Sequence, residues 1–185
     1  AFVAKAQQRD VIYVVEADQG GKIVRQHQFD FDAVSYPTFS PVNETIAFIG
    51  VKHGRSDMYL VSEQGTLTRL TDDTWDEKEP AWSPDGRKLA YVSFETQKAV
   101  VWVQDVASGT RRAVADFRGS NSAPAWSPDG SQMALTLSRE GGSQLYVMGR
   151  NGESPRRLTN SPGIDTEPVY SPDGRWIAFG SMPRA

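Results

Sequence analysis

The sequence predicts an all-β fold, a β-propeller of four-stranded antiparallel blades, with about four blades' worth of strands in one propeller or propeller arc over 1–185. Three observations predict it. A pentapeptide of the form Pro-x-aromatic-Ser-Pro recurs at Pro37, Pro80, Pro124 and Pro168, spaced 43, 44 and 44 residues. A period near forty filled with short strands marks a radially repeated β-architecture. Three of the four pentapeptides continue as Ser-Pro-Asp-Gly, in which proline presets φ at the first corner of a turn and glycine tolerates the exit. Finally, apolar runs such as VIYVV (Val11 to Val15), DMYLV (Asp57 to Val61) and QLYVM (Gln144 to Met148) read as strands covered on both faces, as in stacked blades.

Each unit then divides in order. In the unit that starts at Pro80, strand A is PAWS (Pro80 to Ser83) and strand B is KLAYVS (Lys88 to Ser93). Strand C is AVVWVQDV (Ala99 to Val106) and strand D is TRRAVAD (Thr110 to Asp116). ASGT (Ala107 to Thr110) and NGE (Asn151 to Glu153) are hairpin signals between strands C and D. Phe39, Trp82, Trp126 and Tyr170 recur at one position, which predicts equivalent buried places against a neighbouring blade. The units run 1–36 (strands B to D), 37–79, 80–123, 124–167 and 168–185 (strands A and B). AFVA at Ala1 aligns as a strand B with AFIG at Ala47 and AFGS at Ala178, giving seventeen strands, one strand B more than four blades require.

The charged fraction of 23%, the hydrophobic fraction of 38% and the net charge of −3 describe an ordinary globular balance without a polycationic footprint for nucleic acid. No apolar run approaches the ~18 residues of a membrane span. Neither nucleic acid nor membrane insertion is therefore expected. With no cysteine, disulfides, thiolate nucleophiles and cysteine metal ligands are excluded. The opening AFVAKAQQRDVIYVV lacks the basic start, apolar core and cleavage site of a signal peptide and reads as the middle of a domain.

The chain carries no G-x-S-x-G nucleophile elbow, P-loop, H-E-x-x-H or dinucleotide glycine fingerprint. Catalysis, cofactor and metal are accordingly not expected. His27 and His53 fall in a strand D and a strand B–C loop without metal-ligand spacing, and ordinary surface or packing roles suit them. The Ser-Pro-Asp-Gly repeat reads as a turn rather than a binding loop, since a calcium loop needs several more oxygen ligands. The sequon Asn43-Glu44-Thr45 is idle in a bacterial source. Acidic residues gather before two strands A: Asp76, Glu77 and Glu79 before one, Asp165 and Glu167 before the other. In a propeller such segments converge on the channel mouth, where carboxylates can hold a cation or basic side chains, or simply face solvent.

The stretch from Glu79 to Ser181, with PAWSPDGRKLAYVS, APAWSPDGSQMALTL, GRNGESPRRLT and DTEPVYSPDG, resembles the TolB-type β-propellers of the bacterial Tol–Pal envelope system. Residues 1–75 are similar to related TolB-like repeats and carry SPVN (Ser40 to Asn43) in place of SPDG. This change of character fits a divergent natural chain or two pieces joined near LTDDTWDEKEP (Leu70 to Pro80), a junction favoured by ends that fall in mid-blade. The resemblance implies a six-bladed parent, a periplasmic location and a protein partner, the lipoprotein Pal, docking at the channel mouth on loops that lead into strand A. On this chain those positions are Ser120, Asn121 and Ala123 in RGSNSAP, and Thr166 and Glu167 in DTEP. The stretch RGSNS departs from the family in lacking a histidine common there. The leading expectation is a non-enzymatic protein-interaction platform. The alternatives are a recombined or designed half-propeller that only folds and self-associates, and a propeller that gates a hydrolase or lyase. Blades shaped for a six-bladed ring leave sticky faces and edges when only four are present, so a homodimer is expected.

Overall fold

The computed structural model describes residues 1–6, 9–18 and 20–183. Its described elements are seventeen β-strands in five antiparallel sheets. The chain divides into two compact units, Ala1–Lys78 and Glu79–Ala185.

The first unit holds two sheets. One orders β1 (Phe2–Ala6), β2 (Arg9–Val15) and β3 (Ile23–Gln28). The other orders β4 (Ala33–Phe39), β5 (Ile46–Lys52), β6 (Arg55–Val61) and β7 (Leu67–Arg69). Ile12, Val14, Val34, Ile46, Phe48, Tyr59 and Val61 form the core between them. Phe48 stacks on Tyr59 across the strand pair, ring centroids 5.7 Å apart, and Phe2 on Tyr13 at 5.5 Å in the same register.

The second unit begins within β8 (Glu77–Trp82), which joins β9 (Lys88–Ser93), β10 (Val100–Asp105) and β11 (Arg111–Ala115) in one four-stranded sheet. The next sheet orders β12 (Asn121–Trp126), β13 (Gln132–Leu137), β14 (Gln144–Gly149) and β15 (Arg156–Arg157); a third pairs β16 (Ile164–Tyr170) with β17 (Ile177–Met182). Sheets pack face to face, β9 against β12 and β13 against β16. Strands B and C are therefore covered on both sides, as their unbroken apolar runs predict: β13 is buried from Met133 to Leu137 and β14 from Gln144 to Met148. Ala90, Val101, Met133, Leu135, Tyr146 and Met148 lie at the heart of this core.

The three SPDG turns link strands A and B as expected, and they share one set of bonds. Gly86, Gly130 and Gly174 each donate to the carbonyl of the turn's serine at 2.9 Å, with φ near +70°. Ser83, Ser127 and Ser171 each donate their hydroxyl to the aspartate two residues on, at 2.6 Å, and accept the amide that opens strand B. In SPVN the serine keeps its backbone bond to Thr45, while Asn43 takes over as acceptor of the Thr45 amide. Consecutive turns interlock, since Pro84 Cγ stands 3.1 Å from where a Gly130 Cβ would be.

Two expectations are corrected. Phe39, Trp82, Trp126 and Tyr170 are half-buried rather than buried. Trp126 packs against the margin of the core rather than inside it, and its indole N–H donates to the half-buried Ala81 carbonyl of the adjacent blade at 3.1 Å. Strand A also starts earlier than its proline, so the segments read as loops leading into it belong to β8, β12 and β16 themselves.

Candidate functional site

The residue before each repeated proline is in the left-handed region: φ is 54° at Tyr36, 56° at Glu79, 50° at Ala123 and 55° at Glu167. Non-glycine residues adopt it at a cost, and proline leaves no N–H for the ladder. A β-bulge reconciles the two, because the register breaks between Ser35 and Thr38, Ser122 and Ala125, and Thr166 and Val169. Strand A thus carries one strained residue per blade, at the end opposite the SPDG turns. In the second unit these bulges are coupled between blades, as Glu79 Oε2 accepts the Ala123 amide at 2.6 Å.

The sequence-derived candidates separate by position. Three residues before each proline the side chain is buried: Val34, Glu77, Asn121 and Asp165. Glu77 accepts the Thr71 hydroxyl at 3.0 Å, and that hydroxyl in turn accepts the Met58 amide at 2.9 Å. Asn121 donates to the carbonyls of Ala99, Phe117 and Gly119 and accepts the Phe117 amide, so its amide group ties the approach to β12. Asp165 accepts the Ser181 hydroxyl at 2.6 Å, which holds its carboxyl below the usual carboxylate value despite burial. These three groups face inward and organise strand A, which corrects the reading of them as parts of an open mouth.

The remaining candidates are accessible. Asp76 is exposed in the first unit and accepts the Ser56 amide at 3.0 Å. In the second unit Ser120 and Glu167 are exposed, while Glu79, Ala123 and Thr166 are half-buried. The Ser120 amide donates to Ser138 Oγ at 2.7 Å, and Thr136 and Thr166 hydroxyls meet at 3.3 Å. The structure thus brings Glu79, Ser120, Ala123, Thr166 and Glu167 to one end of adjacent strands A, on a frame stiffened by the bulges. Among the described residues no group of three or more His, Asp or Glu is placed to hold a metal ion, and no helix is long and apolar enough to cross a membrane. His27 is buried and stacked on Phe29, and burial lowers its pKa.

Sequence reasoning missed Gln144 and the two R-L-T triplets. Gln144 is buried, donates to the Ser161 and Gly163 carbonyls at 3.1 Å and accepts the Thr159 hydroxyl and Ser161 amide. Thr159 repeats the role of Thr71 by accepting a strand-C amide, from Leu145 at 3.0 Å. The triplets Arg69-Leu70-Thr71 and Arg157-Leu158-Thr159 were the signal for this stitch.

A family model described as the TolB beta propeller domain matches residues 78–184. The chain belongs to the TolB beta propeller domain family. Over 84 residues it is 51% identical to the Tol-Pal system protein TolB of Chromobacterium violaceum, covering 43% of this chain and 19% of that protein. The solved structure of TolB from Acinetobacter baumannii superposes with a TM-score of 0.65 at 26% identity, over 97% of this chain and 50% of the other. A protein assigned to TolB from Agrobacterium tumefaciens gives 0.77 over 98% of this chain and 65% of the other, and its 24% identity shows the fold alone. The match to the curated TolB thus spans about a fifth of that protein's length.

Proposed function

We propose that this TolB-type propeller chain is a non-enzymatic protein-interaction platform of the bacterial cell envelope. It works in the periplasm and docks a Pal-like lipoprotein on the strand A ends of the second unit. The observation that carries the reading is the recurrence of a left-handed, bulged residue before each strand-A proline. Glu79, Ala123 and Glu167 occupy it with Ser120 and Thr166 beside them. Backbone strain held in register over several blades is a feature of binding sites more than of solvated loops. The accessible side chains there suit hydrogen bonding to a polar protein surface, while buried Glu77, Asn121 and Asp165 keep the segments in place.

The experiment is titration calorimetry of the 185-residue chain with the soluble domain of Pal from Chromobacterium violaceum. Saturable heat is expected, weakened at least about tenfold by Glu167→Lys combined with Ser120→Arg. No heat and no retention on immobilised Pal would refute the reading. That result would favour a recombined chain, for which the coincidence of the family match, starting at residue 78, with the unit boundary at Lys78 also speaks.

A further inference from the structure

Two sheets of the chain are incomplete in opposite ways. Among the described residues β17, a strand B, pairs with β16 alone, so that sheet holds strands A and B without C or D. The first sheet holds β1, β2 and β3, which are strands B, C and D, without an A. The three remaining sheets hold all four strands, with B between A and C. The outer edge of β17 is therefore a row of backbone donors and acceptors of the kind that templates another strand.

Wherever a strand C is present, it brings the same residue type to one place. Phe2 faces Tyr13, Phe48 faces Tyr59, Tyr91 faces Trp102 and Leu135 faces Tyr146. In each case the aromatic of strand C stands between two apolar neighbours, as in Ile12-Tyr13-Val14 and Leu145-Tyr146-Val147. Ala178 pairs with Val169 as Ala134 pairs with Ala125, which puts Phe179 in the place of Leu135. Phe48, Tyr91 and Leu135 are fully buried, whereas Phe179 is 45% exposed. Directly opposed side chains stabilise a strand pair, and a slip of one residue turns them to opposite faces. The place at Phe179 thus selects both a strand and its register.

We propose that the open edge of β17 takes up β2 of a second copy, with Tyr13 opposite Phe179 and β3 carried along as strand D. β1 is the placeholder that β17 displaces. β2 and β3 suit this role because theirs is the one strand C–D pair among the described residues whose sheet lacks a strand A. β17 repeats the Ala-Phe that opens the chain and brings β16, a strand A that β1 does not have. The single chain leaves β2 paired with β1 and β17 with β16 alone, so the strand that fills the edge comes from a second copy. The product is an A-B-C-D sheet of the kind the chain builds three times, and reciprocal exchange closes a twofold dimer. Pairing of β17 with itself would give an A-B-B-A sheet, which has no counterpart among the described sheets. Neither β17 nor β2 contains Glu79, Ser120, Ala123, Thr166 or Glu167, so the exchange is independent of the Pal-like docking reading.

The test is cross-linking between Tyr13→Cys and Phe179→Cys placed in separate copies of the 185-residue chain, whose own sequence has no cysteine. Directly opposed residues of antiparallel strands lie about 5 Å apart at Cα, within disulfide reach. Oxidation of an equal mixture should give a covalent dimer, and oxidation of either variant alone at least about tenfold less. A dimer formed equally by Phe179→Cys alone would overturn the proposal in favour of β17 paired with itself. So would a disulfide formed within one chain carrying both substitutions, at the expense of the dimer. Because each substitution removes an aromatic from the contact, a second measurement uses the unmodified chain. A fluorescein-labelled peptide of residues 9–28, which carries β2 and β3, should bind saturably by anisotropy, and its Tyr13→Asp form at least about tenfold more weakly. Absence of the mixed cross-link together with equal or no binding of the two peptides would likewise overturn it.

Discussion

Asp129 carries the lowest carboxyl in the SPDG series, pulled down to about 2 by the Ser127 hydroxyl first, then by the Ser131 amide and hydroxyl. Asp85 and Asp173 are lowered in the same way, each chiefly by its own serine hydroxyl. Each of these donors favours the charged form. A carboxyl depressed in the folded state adds stability above its ordinary value of 3.8, and the contribution is lost as pH falls through about 2. Asp129→Asn keeps one oxygen acceptor, replaces the Oδ2 that accepts the Ser131 hydroxyl by an NH2 group, and removes the charge. It should lower the melting temperature at neutral pH, and the gap from the parent chain should close between about pH 4 and about pH 2. A gap that persists unchanged at pH 2 would assign the effect to geometry rather than charge.

The blade turns show which features sequence can express. Gly152 and Gly109 both have positive φ, 92° and 71°, in equivalent strand C–D turns. A side chain at Gly109 would meet nothing, whereas at Gly152 it would run into the Val114 carbonyl of the adjacent blade. Gly109→Ala should therefore cost about 1 kcal/mol from backbone strain alone, and Gly152→Ala at least about 2 kcal/mol more, by urea unfolding followed through tryptophan fluorescence. Equal costs would mean that the two blades yield at this contact. The SPDG turns were legible because serine, proline, aspartate and glycine act on one another within five residues. The bulges were not, although their signal was present: a proline inside a strand implies an interrupted ladder. Reading Pro80, Pro124 and Pro168 as strand starts placed Glu77, Asn121 and Asp165 in loops. Their burial depends on hydroxyl and carbonyl partners such as Thr71, Ala99 and Ser181, distant in sequence, which polarity patterns do not reveal.

At the scale of the whole chain, the sheets differ in how far they are completed. In β4–β7, β8–β11 and β12–β15 strand B lies between A and C, while among the described residues β17 pairs with β16 alone. Val169, Trp176, Phe179 and Met182 are exposed on this sheet, Trp176 by 68%. Such an apolar surface beside an unpaired strand edge favours association. The register suggests what fits there. Phe2 and Phe48 occupy the strand-B place that Phe179 holds in β17, and each stacks on a tyrosine of the next strand, Tyr13 or Tyr59. β2 of a second copy would offer Tyr13 to Phe179 once β1, the surplus strand B, is displaced. In a longer polypeptide, strands following β17 would claim the same edge. The 185-residue chain in solution is expected to be a dimer, with a light-scattering mass about twice 20.4 kDa at micromolar concentration. Phe179→Glu should return it to the monomer mass. A monomer mass for the unmodified chain would rule out exchange through β17.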